Sequence, residues 1–220
     1  MLNLGNIAYV VGIVLLVMLS TSIHEFSHAY AAHLLGDDTA KEHGRLTLNP
    51  LAHLDPVGSF LLPLIMALGN GPVFAYANPV PYNPRRLRNP GRDDALVALA
   101  GPLSNVAQAL VGAAIVRIME LAHVQYVMNG DVVYALALYT YVNLTLAFFN
   151  LIPIPPLDGS KLVMPFLSDD ARQAYYGLQR YSMAILLVVL YGLPRFLGID
   201  IVGFVIDHTA WPLYRFLLGV

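Results

Sequence analysis

The sequence predicts an all-α polytopic membrane protein of a single domain, with about four to six transmembrane helices and a small re-entrant or β-like segment near residues 57–84. Three observations carry that expectation. The 220 residues are 57% hydrophobic and only 12% charged, with mean hydropathy +0.62, which is more apolar surface than a soluble domain of this length buries. The apolar residues fall in long runs parted by polar or proline-rich breaks. Nine of the twelve Lys and Arg residues gather in three of those breaks.

The first run, Ile7 to Leu35, has no proline and at ~1.5 Å per residue is long enough to cross a hydrocarbon core of ~30 Å and protrude. No Lys or Arg occurs in the first forty residues, so the run reads as a retained span and not as a cleaved signal. Residues 36–56 are polar and broken by Gly44, Pro50 and Pro56. The apolar run 57–68 is marginal for a full crossing and reads as re-entrant or interfacial. Residues 71–84 (GPVFAYANPVPYNP) mix aromatic and β-branched residues with prolines, which suits an edge strand or an extended loop. As an edge, residues 71–82 would accept an unwound peptide by strand addition; as a connecting loop they would not, since Pro79 and Pro81 lack donors. Further helices are expected at about 95–121, 132–150 and 181–197, and residues 199–220 either cross again or lie at the interface. The core falls at about 7–165, with C-terminal helices over 181–220, and no linker or repeat divides residues 1–220.

Charge narrows the function classes. A net charge of −2 and pI near 6.4 give no general attraction to nucleic acid. The absence of cysteine excludes disulfides, thiol catalysis and thiolate metal sites, so any metal must be held by His and carboxylates. The basic loops contain Lys41 and Arg45; Arg85, Arg86, Arg88 and Arg92; and Lys161, Arg172 and Arg180. If 57–68 does not cross, all three loops lie on one side, which the positive-inside rule makes cytoplasmic, with the N-terminus outside.

The first span carries HEFSH. On a helix His24 and His28 share one face at i and i+4 and can bind one Zn²⁺, with Glu25 beside them as a base for water. Ionisable groups inside an apolar span are costly and mark function. The pattern sits about 26 Å below Ile7, near the cytoplasmic end of the span. A third ligand must come from elsewhere, because Ala31 and Leu34 stand where the extended metzincin pattern needs Gly and His. Glu42 lies in a polar loop and Glu120 at the far end of its span. Asp158 is better placed: it is the only charged residue between Asp131 and Lys161, in FNLIPIPPLDGS, where Pro153, Pro155 and Pro156 break the helix and Gly159 permits a turn.

HEFSH together with NLIPIPPLDG resembles the site-2 protease family of intramembrane zinc metalloproteases, peptidase family M50, in a short form without PDZ or CBS domains. Its signatures are H-E-x-x-H and, much later, N-x-x-P-x-x-x-x-D-G; Asn150, Pro153, Asp158 and Gly159 are in register. AGPLSN, Ala100 to Asn105, is similar to the Gly-Pro-x-x-Asn turn that commonly opens the intervening span. The resemblance implies that His24, His28 and Asp158 bind zinc, that Glu25 is the general base, and that Asn150 contacts substrate or the oxyanion. It also implies membrane-anchored protein or peptide substrates in the lipid bilayer, cut near the cytoplasmic face. The alternative is a zinc-binding membrane adaptor or chaperone without protease activity, although ligands alone would suffice for that role and Glu25 would be superfluous. A metal transporter would call for more ionisable residues along the spans. Of the other histidines, His33 lies off the ligand face, His43 and His53 lie in the following loop, and His123 and His208 lie away from the site. His53 is read either as a loop residue or as a transient ligand. Asn143, at i−7 from Asn150, either lines the same cavity or makes an interhelical hydrogen bond. Ser22 and Ser27 would help water reach the metal.

Overall fold

The computed structural model describes residues 4–53, 55, 78–123 and 130–220, and among them the chain is helical with no strand. Helix α1, Leu4–Leu34, contains HEFSH in its last three turns. It ends where Gly36 adopts φ +109°, a left-handed conformation that a side chain would resist. The chain then makes two short helices, α2 (Thr39–Glu42) and α3 (Pro50–His53). Residues 78–83 run without helix into a 3₁₀ turn at Pro84–Arg86. The Arg88 N–H donates to the Leu35 carbonyl at 3.1 Å and joins this returning loop to the end of α1. The part of the expected re-entrant or β-like segment over 57–77 lies outside the described residues.

Helix α4, Pro90–Leu121, starts five residues before the expected boundary. Pro90 occupies its first position, where a missing N–H is harmless, and the buried Asp93 carboxylate accepts the Asn89 N–H at 2.9 Å. The AGPLSN segment does not open this helix as a turn: Pro102 lies inside it. Proline deletes only one backbone donor, and the packed helices on either side hold the remaining turns together. Helix α5, Gly130–Asn150, packs along α4, and α4 also packs along α1, so α4 is the middle of three helices.

After Asn150 the proline-rich break folds back on itself. The Leu157 N–H donates to Ile154 and the Ser160 N–H to Leu157, and the short helix α6 (Gly159–Leu162) follows. Ile152 and Leu157 bury their side chains against Leu186 and anchor the turn. Helix α7, Asp169–Gln179, meets the next helical segment, Ser182–Leu197 (α8), at a bend of 81°. Its second half, Val188–Leu197, is a π-helix containing Pro194, whose missing N–H disfavours the regular i→i−4 ladder. The tail forms two short helices, α9 (Ile201–His208) and α10 (Ala210–Leu218), which bury Ile206 and Ala210 against Ala109 and Leu144. At 8 and 9 residues neither crosses a bilayer by itself.

Among the described residues, α4 and Val132–Asn150 of α5 are long and apolar enough to cross a membrane, and α7 with α8 make a third if that bent pair is one span. Helix α1 has the length, at 31 residues, but carries seven polar side chains between Ser20 and His28.

Candidate metal centre

Helical spacing places His24 and His28 one turn apart on α1, and the fold brings Asp158 to them from 130 residues further along the chain. The Asp158 Oδ2 lies 3.1 Å from His24 Nε2 and 3.2 Å from His28 Nε2, and the two nitrogens are 3.0 Å apart. Both imidazoles are buried. This is the one group of three metal-ligand side chains among the described residues.

Each ring is fixed through its other nitrogen. The His28 Nδ1–H donates to the Val97 carbonyl at 2.7 Å, and the His24 Nδ1–H donates to Asn105 Oδ1 at 2.5 Å. With the proton on Nδ1, both Nε2 atoms present lone pairs toward the carboxylate. Three acceptors at this separation repel one another unless a cation lies among them. A tetrahedral zinc with bonds of ~2.0–2.1 Å needs ligand atoms about 3.3 Å apart, which is close to what is found.

The room for such an ion comes from Gly101 of α4. A Cβ there would collide with His28 Nε2 and lie 2.6 Å from His24 Nε2. Val97, Gly101 and Asn105 follow one another at intervals of four residues on one face of α4. That face therefore supplies the far wall of the site: one carbonyl, one gap and one side-chain acceptor. The residues fit a zinc ion.

Asn105 is itself held. Its Nδ2 donates to Asn143 Oδ1 at 2.8 Å, Asn143 Nδ2 donates to Ser20 Oγ at 2.9 Å and to the Tyr139 carbonyl, and the Ser20 hydroxyl donates to the Leu16 carbonyl at 2.8 Å. Ser20, Asn105 and Asn143 are all fully buried. The relay ties α1, α4 and α5 together behind His24. Asn143 thus takes the interhelical hydrogen bond and not a place in the cavity.

Asp158 reaches the histidines because Gly159 lets the chain turn against the end of α5. A Cβ at Gly159 would collide with the Leu151 carbonyl oxygen and lie 2.6 Å from that of Ile152. Glu25 is half-buried and accepts the Val80 N–H on Oε2 at 2.9 Å. The loop beyond Val80 is pinned where Tyr82 donates its hydroxyl to Asp94 and lies under the Lys161 ammonium, 4.7 Å from the ring centre. Burial first, and the Asp94 charge second, push the Tyr82 hydroxyl pKa far above its ordinary value, so it remains a donor.

Other candidates lie elsewhere. Asn150 Nδ2 donates to the Leu146 carbonyl of its own helix at 2.9 Å. His53 is buried and turns Nε2 to the Thr47 carbonyl at 2.9 Å, outside the group of three. His33 pairs with Asp38, His43 bonds Thr39, and His208 bonds Phe204. Ser22 and Ser27 turn their hydroxyls back to carbonyls of α1. Sequence reasoning gives Gly101 and Asn105 as parts of a turn and misses their place beside the histidines, together with the Val80 N–H; the spacing of four from Val97 to Asn105 is the signal that could have placed the first two.

The sequence profile of peptidase family M50 matches residues 113–190. YwhC of Bacillus subtilis, named as a zinc metalloprotease, is 35% identical over 179 residues, which are 80% of this chain and 78% of YwhC. Rip2 of Mycolicibacterium smegmatis, named likewise, is 31% identical over 186 residues, or 82% of this chain and 68% of that protein. Rip2 of Mycobacterium tuberculosis is 31% identical over 173 residues, covering 78% of this chain and 63% of its own. No solved structure matches the chain. Helices long and apolar enough to cross a membrane, a buried His–His–carboxylate cluster and relatives that this chain spans for most of their length agree, and the protein belongs to peptidase family M50, an integral membrane zinc metalloprotease.

Proposed function

We propose that the chain is an intramembrane endopeptidase that hydrolyses peptide bonds of membrane-anchored substrates near the cytoplasmic face, with His24, His28 and Asp158 holding the zinc and Glu25 acting as general base. The observation that carries the reading is the convergence of two Nε2 lone pairs and one carboxylate oxygen within 3.0–3.2 Å, with Glu25 adjacent. The zinc supplies Lewis acidity that polarises the scissile carbonyl and acidifies water. Glu25 takes a proton from the water as its oxygen forms the C–O bond to the scissile carbon, and then delivers that proton to the amine nitrogen, so that the C–N bond breaks as the tetrahedral adduct collapses to carboxylate and free amine. Asn105 and the Val97 carbonyl keep both histidines in the tautomer that ligates.

Substrate must unwind locally, because a carbonyl within a helix is already bonded and shielded. Asn150 stands at the end of α5 where the helix breaks, and its amide binds the substrate backbone or the developing oxyanion once it leaves the Leu146 carbonyl. The distribution of Lys and Arg supports a cytoplasmic site and an outside N-terminus. In this arrangement the chain crosses about four to six times, and the stretch near residues 57–84 is the small re-entrant or β-like segment.

The test uses reconstituted protein and a dye-labelled single-span peptide carrying an Asn-Gly pair in the cytoplasmic half of its span. Glu25→Gln is expected to keep zinc and lower cleavage by at least about 10²-fold. Asp158→Ala is expected to lose zinc and activity together. Undiminished cleavage by E25Q, or unchanged zinc affinity of D158A, would refute the respective assignment.

A further inference from the structure

Residues 78–83 pass α1 without regular secondary structure, with Val80 packed on Ala29, and their sequence restricts what their backbone can donate. Pro79 and Pro81 have no N–H. Val80, between them, has one, and it points at Glu25 Oε2 at 2.9 Å. The direction of that N–H is set by contacts that do not involve Glu25. The Asn78 N–H donates to the His53 carbonyl at 2.9 Å, and Arg45 Nη2 donates to the Asn78 carbonyl at 2.8 Å. On the other side the Asn83 N–H donates at 2.6 Å to Asp37, a fully buried carboxylate. The Val80 side chain is buried with Ala29 and Ala40, and Ala29 is one turn beyond Glu25 on α1. The segment is therefore clamped at both ends and in the middle, and it presents a single donor to the carboxylate.

We infer that Val80 is a positioning residue for the base: its N–H holds Oε2 of Glu25 so that Oε1 is the oxygen that receives the proton of water. This rests on the reading of Glu25 as the base. A glutamate on a helix has three side-chain torsions, and a carboxylate without a fixed partner spreads over several rotamers. A base misplaced by ~1 Å loses on the order of 10²-fold in rate. The flanking prolines add specificity to the device, since no neighbouring amide of the Pro-Val-Pro unit can substitute if the register slips by one residue.

The experiment removes the N–H and keeps the side chain. Val80→Pro is the simple variant; replacement of Val80 by α-hydroxyisovaleric acid, which turns the amide into an ester, is the second and leaves shape and packing unchanged. With the dye-labelled peptide, the ester form is expected to lower kcat by roughly 10–100-fold with KM and zinc content within twofold of the unaltered protein. Val80→Ala keeps the N–H and is expected to recover most of kcat. A readout without substrate is hydrogen exchange: Glu25→Ala should speed exchange of the Val80 amide. Should V80P lose zinc or helix content, the ester form decides. The inference is overturned by wild-type or raised kcat in the ester form. It is equally overturned by a loss carried by KM alone, which would assign the N–H to substrate, or by Val80 exchange indifferent to Glu25→Ala. If E25Q cleaves normally, the underlying reading of Glu25 fails; if E25Q is inactive while the ester is normal, only the role of Val80 fails.

Discussion

Gly101→Ala tests the metal centre from the helix that contributes no ligand. The added Cβ would stand 2.6 Å from His24 Nε2 and overlap His28 Nε2, against a comfortable separation of ~3.5–4.0 Å between such atoms. Relief requires a shift of about 1 Å. The rings cannot swing aside freely, because their Nδ1–H groups are tied to Asn105 and Val97. Nor can α4 retreat, since it carries Asn105 and Val97 with it. A ligand set tolerates departures of only ~0.2 Å, so the substitution should weaken zinc binding by at least the ~10²-fold seen when outer-shell partners are lost. Overpacking should cost stability of about 1–3 kcal/mol. Zinc per chain, measured by atomic emission after dialysis against graded chelator, gives the affinity; the visible spectrum of the cobalt-substituted protein reports the ligand geometry. Retention of wild-type zinc affinity and an unchanged cobalt spectrum in G101A would show that the ion does not occupy the gap between the histidines.

Three further substitutions, with one control, examine what surrounds the ligands. Asn105→Ala strips partners from the His24 Nδ1–H and the Asn143 carbonyl oxygen, each an orphaned buried group worth ~1–3 kcal/mol, and should also lower zinc affinity by about 10–100-fold. Asn143→Ala, one step removed, should lower thermal stability comparably with a smaller change in zinc affinity, and equal effects of the two on zinc would contradict the relay. Gly159→Ala meets backbone oxygens that cannot yield and should displace Asp158, reducing zinc occupancy. Gly177→Ala, in open space on α7, serves as its control and should be neutral or stabilising by about 0.5–1 kcal/mol.

The sequence disclosed one wall of the site and concealed the other. The candidate ligands His24 and His28 were legible because metal-ligand chemistry leaves few residue types free, and Glu25 because it lies between them in the H-E-x-x-H pattern. Asp158 was legible because a carboxylate beyond a proline break in an apolar chain is too costly to keep unless it binds a cation or moves a proton. Helices α1, α4 and α5 were legible from long apolar runs, with ends misplaced by a few residues where Asn89–Pro90 and Gly36 set the boundaries. Gly101 and Asn105 resemble parts of a turn, and Pro102 encourages that reading; on the buried face of a helix the same three residues are a gap, a position without a backbone donor, and an acceptor. Nothing in a single sequence separates those uses, since each depends on which helix lies opposite. The bond from Val80 to Glu25 was still less visible. A backbone N–H has no letter of its own, and only the two flanking prolines hinted that one donor had been singled out. The bend between α7 and α8 follows from no strong breaker: only Arg180 and Tyr181 separate the two segments, and packing decides the angle.

The Ser20–Asn143–Asn105–His24 relay bears on the order of assembly. Its hydrogen bonds run through buried side chains of three helices, so sliding any one helix by a turn would strand polar groups in an apolar interior, where each is costly. Helix register is thereby locked by hydrogen bonds that do not involve the metal. Unlike small zinc domains, in which ion binding and chain folding are one event, this bundle should stand complete before an ion arrives. Chelation should then leave a correctly packed, inactive protein that regains activity on adding zinc, without passing through an unfolded state.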